Sequence, residues 1–296
     1  MTTLLNRIDT TRAFDPVVLQ PLNHINNLEL NKPQFAVVDV SKNKIIALHG
    51  DKYLLLPYKA ILEGLSKSLE KYGMSLDNAE VKFTLANDLS RFKLQIFFND
   101  LIYTMQSRKN DNLKFGIEIV SSYDASLIFQ LRFMFYRLIC KNGLKSWSTD
   151  KAVLNKHTTN FNLEHAFNTL NHFKPSYIDM QKKLEIFDAV KLTSDDVDLL
   201  FNAVPNINDS KKYLLNSVLE VKKDQASLFD VYNAVTNYST HNQRAIKIGK
   251  RSDNNSFEIR KNTQNDLLSN ETRELEVKKF LASKTFLSYL NNRIAA

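Results

Sequence analysis

Polar and apolar positions alternate most regularly between residues 91 and 119. Phe92, Leu94, Ile96 and Phe98 alternate with Arg91, Lys93 and Gln95. Leu113, Phe115, Ile117 and Ile119 alternate with Lys114, Gly116 and Glu118. A period of two sends each set to its own face of a strand. A longer run from Leu127 to Cys140 puts Leu127, Phe129, Leu131, Phe133 and Phe135 at odd positions, and Ile128, Gln130, Arg132, Met134 and Tyr136 at even ones. These runs predict an antiparallel sheet with one face on the core. Upstream, Phe35–Val40 and Lys44–Leu48 flank Ser41, Lys42 and Asn43, which reads as a hairpin. Tyr58, Ile61, Leu62, Leu65, Leu69 and Tyr72 then recur at helical spacing, and Gly73 is a suitable stop. That helix is expected to cover the core face of the sheet.

After Trp147 the period becomes helical. Leu163, Ala166, Phe167 and Leu170 mark one segment, and Tyr177, Met180, Leu184 and Phe187 another. Thr193, followed by Ser194, Asp195 and Asp196, has the oxygen side chains and acids that suit a helix start. Helices are also expected over residues 211 to 222, from Ser227 through Tyr238, and over 271 to 290. A basic, Asn-rich loop is expected over 242 to 262. The fold class is α+β: an antiparallel sheet with a covering helix in the N-terminal half, then a helical C-terminal half. The expected division is an N-terminal arm over 1–31 with Pro16 and Pro21 as breakers, a β-rich core over 32–150, and a helical region over 151–296.

Of the 296 residues 43% are hydrophobic and 24% charged, which argues for folded globular structure. The net charge of +8 favours an acidic partner, most often nucleic acid, although charge alone names none. Cys140 is the single cysteine, so no intrachain disulfide forms, and a reducing cytoplasm fits. No signal peptide is visible, because Arg7, Asp9, Arg12 and Asp15 interrupt the first segment. No run of 18 apolar residues suggests a membrane span.

Catalytic signatures are missing. There is no Gly-rich phosphate loop and no dinucleotide fingerprint among six scattered glycines. One cysteine cannot build a multi-cysteine zinc site, and His24, His49, His157, His165, His172 and His241 form no tight ligand pair. Glu220-Val221-Lys222 and Glu276-Val277-Lys278 have the acid-x-lysine spacing of some nucleases, but both fall in expected helices. No catalytic residue, metal or cofactor is expected.

Three basic groups remain as binding candidates. The polar face of the expected sheet collects Arg91, Lys93, Gln95, Lys114, Gln130, Arg132 and Tyr136. Cations neutralise phosphates, and aromatic or guanidinium planes stack on unpaired bases. The other reading is an ordinary solvated sheet face. The second group, Arg244, Lys247, Lys250, Arg251, Arg260 and Lys261, has only Asp253 and Glu258 as acids between its members. It reads as a phosphate clamp or a solvated linker. The third is Arg137, Lys141 and Lys145 around Asn142-Gly143, a dipeptide that suits a tight turn. Trp147 beside it fits a core position or a base platform.

Three stretches carry a family resemblance: Ser121 through Ser126, Arg137 through Leu144, and Leu228 through His241. Their Tyr-Asp-x-Ser, Arg-x-x-Cys-x-Asn and Tyr-Asn-Ala-Val-Thr-x-Tyr-x-x-His patterns resemble, in that order, the phage and plasmid family DUF932, a domain of unknown function. The resemblance covers roughly residues 35 to 290. It implies a phage or mobile-element origin, a host-cytoplasmic location and a neighbourhood of replication and recombination genes. Gly143 stands where a threonine is common, and the first 31 residues have no counterpart. Asn233, Tyr238 and His241 match the last pattern, and helix packing or capping explains them as well as binding does.

Three function classes follow. The first is a non-enzymatic protein that coats or anneals single-stranded DNA (or RNA), neutralising charge, stacking bases and self-assembling as a homo-oligomer along the strand. The second is a phage structural or host-interaction protein. The third is a metal-dependent nuclease.

Overall fold

In chain order the strands are β1 (Val17–Pro21), β2 (Gln34–Asp39), β3 (Lys44–Gly50), β4 (Ala79–Leu85), β5 (Arg91–Thr104), β6 (Asn112–Ser122), β7 (Phe129–Arg137), β8 (Asn142–Lys145), β9 (Ala152–Asn155), β10 (Gln243–Lys247) and β11 (Phe257–Lys261). The helices are α1 (Tyr58–Lys71), α2 (Leu163–Phe167), α3 (Phe173–Ala189), α4 (Ser194–Asn202), α5 (Asp209–Leu219), α6 (Leu228–Thr240), α7 (Leu267–Leu281) and α8 (Lys284–Ile294). This computed structural model describes residues 4–8, 11–22, 32–86, 88–108, 111–138, 142–145, 152–219, 225–241, 243–247, 257–261 and 267–294. The fold is α+β, with antiparallel sheets in the N-terminal half and a mostly helical C-terminal half. No helix among these residues is long and apolar enough to cross a membrane.

The chain divides into two units. Unit 1 comprises Met1–Ile102, Lys114–Met134 and Lys145–Tyr177, and unit 2 comprises Tyr103–Leu113, Phe135–Leu144 and Ile178–Ala296. The units are therefore interleaved along the sequence, where a consecutive division near residue 150 was expected.

Unit 1 takes its core from the period-two pattern. Phe92, Leu94 and Ile96 of β5 and Phe115, Ile117 and Ile119 of β6 are buried, as are Phe129, Leu131 and Phe133 of β7. Tyr58 of α1 packs its ring 4.5 Å from Phe92, and Ile61, Leu62, Leu65 and Leu69 of the same helix are buried. The start of α3 shares that face, with Phe173 ringed by Phe98, Phe115 and Phe133 at 4.8 to 5.4 Å. Helix α1 ends as expected. Gly73 takes φ +67° and donates to Glu70 O, and Met74 donates to Leu69 O, a Schellman stop that favours glycine. Strands β4, β8 and β9 are additions to the expected set, and β8 runs through Asn142 and Gly143, where a tight turn was expected. β4 pairs antiparallel with β5, and β9 pairs with β7 in a stretch read as helical.

The expected arm also contains structure. β1 pairs antiparallel with β2, so β1-β2-β3 is a three-stranded sheet where two strands were expected. Arg12 adds an ion pair to Asp39 at 3.1 Å. Pro21 ends β1 at an edge, where its missing N–H matters least.

Unit 2 is built around α6, most of whose residues are buried. Phe187, Tyr232, Phe280 and Phe286 form an aromatic core with ring separations of 5.0 to 5.5 Å. Helices α4 and α6 both start on capping boxes, Thr193 with Asp196 and Ser227 with Asp230. The single terminal helix expected over 271 to 290 is two helices, α7 and α8, and the Ser283 hydroxyl accepts from the N–H of Phe286 at the start of the second.

Candidate nucleic-acid interface

The alternation of β5, β6 and β7 gathers the polar side chains of unit 1, and acids arrive with the bases. Glu118 sits at the centre of the group, fully buried. It pairs with Arg132, also fully buried, and with Lys93 at 3.2 Å, and it accepts from Gln95 Nε2 at 2.8 Å. Arg132 donates a further bond to Gln130 at 2.9 Å. Arg91 binds Asp124 at 2.6 Å and Ser126 at 2.7 Å. Lys114 lies 3.4 Å from Glu80. Burial pushes the Glu80 carboxyl up, and Lys82 and Lys114 overcome this to hold it below its usual value. A solvated basic face was expected here. Arg132 corrects that expectation, because a fully buried guanidinium held by Glu118 cannot meet a phosphate. Tyr136 is half-buried and belongs to unit 2. Gly116 has a steric role: a Cβ there would lie 2.2 Å from Ile96 O.

The Ser121–Ser126 stretch builds a second cluster in unit 1. The Tyr123 ring stacks on Tyr58 at 3.9 Å, and its hydroxyl accepts from the Tyr58 backbone N–H at 2.9 Å. The Tyr53 hydroxyl donates to Tyr123 O at 3.1 Å, and His49 Nε2 lies 2.7 Å from the same oxygen. His49, Tyr53 and His157 stack in near-parallel planes, and His157 Nε2 is 3.2 Å from Ser121 Oγ. His157 is buried, and its Nδ1 has no hydrogen-bond partner. Burial first, then the nearby His49, push its pKa down to about 4, so the ring is neutral at pH 7. Ala125 at φ +55° turns the loop, with Asp124 accepting from Ser126 N–H and hydroxyl. These bonds account for the Tyr-Asp-x-Ser pattern as a braced turn.

In unit 2 the other two family stretches share a centre. Asp230 belongs to the α6 cap, and both its oxygens also accept from Arg108 at 2.7 and 2.9 Å. Arg108 Nε donates to Asp188 at 2.9 Å, and Ser107 and Ser227 bind the same carboxylate. Burial works against the ionised form of Asp188, and Arg108 and Ser107 outweigh it, so its pKa is lowered. Arg137 is held by Asp111 at 2.7 Å. Both guanidinium groups lie over the Phe229 ring, at 4.7 Å for Arg108 and 5.4 Å for Arg137. Asn233 is buried, and the His241 N–H donates to Asn237 O at the end of α6. Lys211 lies 4.8 Å over the Tyr238 ring and 3.0 Å from Glu276. Burial and Glu276 push the Tyr238 hydroxyl up to about 12. Arg108 and Asp111 were not singled out in the sequence because they lie in a polar segment between two alternating runs, and Asp188 because it follows the apolar positions of an ordinary helix.

The stretch expected as a basic loop contains a two-stranded ribbon. β10 and β11 pair antiparallel, with Arg244 directly opposite Arg260, Gln243 opposite Lys261 and Lys247 opposite Phe257. Tyr213 of α5 anchors the ribbon through Phe257, with rings 5.2 Å apart. Arg244, Arg260 and Lys261 are exposed. Glu258 pairs with Arg260 at 2.9 Å and is the only acid among the ribbon's described residues. That hydrogen bond, and then the attraction of opposite charges, lower the Glu258 pKa and raise that of Arg260. The Arg244 side chain has no hydrogen-bond or ion-pair partner among the described residues. Lys250 and Arg251 lie outside the described residues, as do Lys141 and Trp147. Among the described residues no three His, Cys, Asp or Glu side chains converge as metal ligands.

No curated protein and no solved structure matches this chain. One family does, over residues 46–270, and it is described as a Domain of unknown function (DUF932). That span contains Ser121–Ser126, Arg137–Leu144 and Leu228–His241, the stretches whose side chains form the Tyr123 turn and the Phe229 centre. The chain belongs to the DUF932 family.

Proposed function

We propose that this chain is a non-enzymatic nucleic-acid-binding protein, one that coats or anneals single-stranded DNA in the replication or recombination of a phage or mobile element. One observation carries the reading. The β10–β11 ribbon presents Arg244 opposite Arg260 on one face and Lys261 on the other, all exposed and with one acid among the ribbon's described residues. Like charges placed directly across a ribbon oppose each other, and a bound phosphate relieves that repulsion. The net charge of +8 adds long-range attraction. Binding releases counterions from the strand, so affinity falls steeply with salt. The test is binding of a fluorescent single strand of ~30 nucleotides across a salt series, beside a duplex and an RNA of equal length. Tight, salt-steep binding that favours single-stranded DNA is expected. Equal or better binding of the duplex would remove the coating and annealing role.

A second reading is a phage structural or host-interaction protein. Val18, Val40, Ile45 and Leu48 are large apolar residues exposed on or beside the β1-β2-β3 sheet. Val18 and Ile45 flank Val38 in one cross-strand row, on the same face. Absence of oligonucleotide binding even at low salt would favour this second reading.

A further inference from the structure

Glu258 accepts a hydrogen bond from Arg260 Nη2 at 2.9 Å, two residues away on the same strand and on the same face. That face carries Arg244 and Ile246 on β10, with Glu258 and Arg260 opposite on β11. Glu258 is cross-strand partner to Ile246, so the carboxylate leans along its strand to reach a cation. A carboxylate and a phosphate oxygen pair make the same kind of charge-assisted bonds to a guanidinium. Both members of this ion pair are about half exposed, at 46% for Glu258 and 56% for Arg260. An ion pair so open to water is weak and readily exchanged.

We infer that Glu258 is a resident stand-in for phosphate at the Arg244–Arg260 pair, a built-in competitor that sets how tightly, and at what salt, the ribbon takes a polyanion. This rests on the nucleic-acid reading and adds its regulating residue. In the free protein the carboxylate occupies Arg260 while Arg244 stays unpaired among the described residues. A backbone phosphate displaces Glu258 from Arg260 and meets both guanidinium groups. The displaced carboxylate then repels the incoming strand. Affinity is thereby held below what two free arginines would give, which suits a protein that must release or slide along its strand.

The experiment uses the full chain and the ~30-nucleotide fluorescent strand across the same salt series. It compares wild type, Glu258→Gln, Arg260→Ala, the double variant, and Asp198→Asn. The last removes an equal charge from an exposed position on α4. Glu258→Gln is expected to bind about two- to fivefold tighter than wild type, the range an exposed ion pair supports. The gain should vanish in the Arg260→Ala background, and Asp198→Asn should give less. Three outcomes overturn the inference alone: wild-type binding that Glu258→Gln leaves unchanged, a gain matched by Asp198→Asn, or a gain that survives loss of Arg260. Failure of wild type to bind the strand at low salt overturns the parent reading and this one together.

Discussion

Arg132 and Arg244 are the same residue type on two β surfaces, and their surroundings are opposite. In unit 1 the cations of β5, β6 and β7 arrive with acids in place: Glu118 for Arg132 and Lys93, Asp124 for Arg91, Glu80 for Lys114. In unit 2 the β10–β11 ribbon carries Arg244, Arg260 and Lys261 with Glu258 as the one described acid. The first set is paired within the fold, and removing Arg132 strands the buried Glu118. The second set lies on the surface, where folding makes little use of it. Cations at alternate strand positions therefore reveal a binding face only after the acids in neighbouring strands have been placed.

The largest expected effect breaks the first half of this contrast. Arg132→Ala leaves Glu118 buried and short of its partner, and should lower unfolding free energy by about 3–5 kcal/mol. The urea midpoint reports it. Replacing Arg132 and Glu118 together by apolar residues of similar size should restore much of the loss. A mild effect of Arg132→Ala alone would mean that the buried pair is unimportant.

The next effect loosens unit 1 through pH. The folded pKa of His157, about 4, lies below the unfolded value of 6.5. The unfolded chain therefore binds the proton more readily. The neutral ring's contribution is complete above pH 6.5 and is lost as pH falls from there toward 4. The loss is roughly 3 kcal/mol by pH 4. Urea midpoints of wild type and His157→Gln, measured at pH 7 and pH 4.5, isolate this part, since other acid-sensitive groups are common to both. Parallel pH profiles for the two proteins would remove His157 as its source.

Gly116→Ala is smaller again. Its added Cβ meets the Ile96 carbonyl oxygen, so β5 and β6 must shift, at a cost of about 1–3 kcal/mol. Unchanged thermal stability in the alanine variant would show that the strands have room to spare. Arg244→Ala should give the smallest change in stability, within about 0.5 kcal/mol, because the side chain is exposed and unpaired among the described residues. Its effect belongs to binding.

The sequence made some of this legible and hid the rest. Period-two runs located β5, β6 and β7, helical spacing located α1, and Gly73 marked its end, because each signal is local. Thr193 and Ser227 announced the starts of α4 and α6 for the same reason. β4 carried a legible signal, since Val81, Phe83 and Leu85 alternate with Glu80, Lys82 and Thr84 beside β5, whereas β9 is four residues long and pairs with β7, past β8 in the chain. The β10–β11 ribbon was hidden because Gln243–Lys247 lacks a clean apolar alternation, and the alternation of Phe257–Lys261 rests on two apolar residues, Phe257 and Ile259, in a basic, Asn-rich stretch. The three family stretches were recognisable as patterns, yet their physical work was not. Asp230 reads as a helix cap, and only the fold reveals that Arg108 lies against it. Likewise, nothing in the spacing of Glu118 and Arg132 declared that both would be buried in one pair.

The most direct measurement is the salt dependence of single-strand binding for two folded variants, Arg244→Ala and the pair Arg91→Ala with Lys93→Ala. Circular dichroism should first show that both retain wild-type structure. The ribbon account predicts weaker binding by Arg244→Ala and a log–log salt slope shallower by about 0.7, the loss of one phosphate contact. It predicts a wild-type slope for the sheet-face pair. A reduced slope in the sheet-face pair, with Arg244→Ala binding like wild type, would contradict it and return the interface to unit 1.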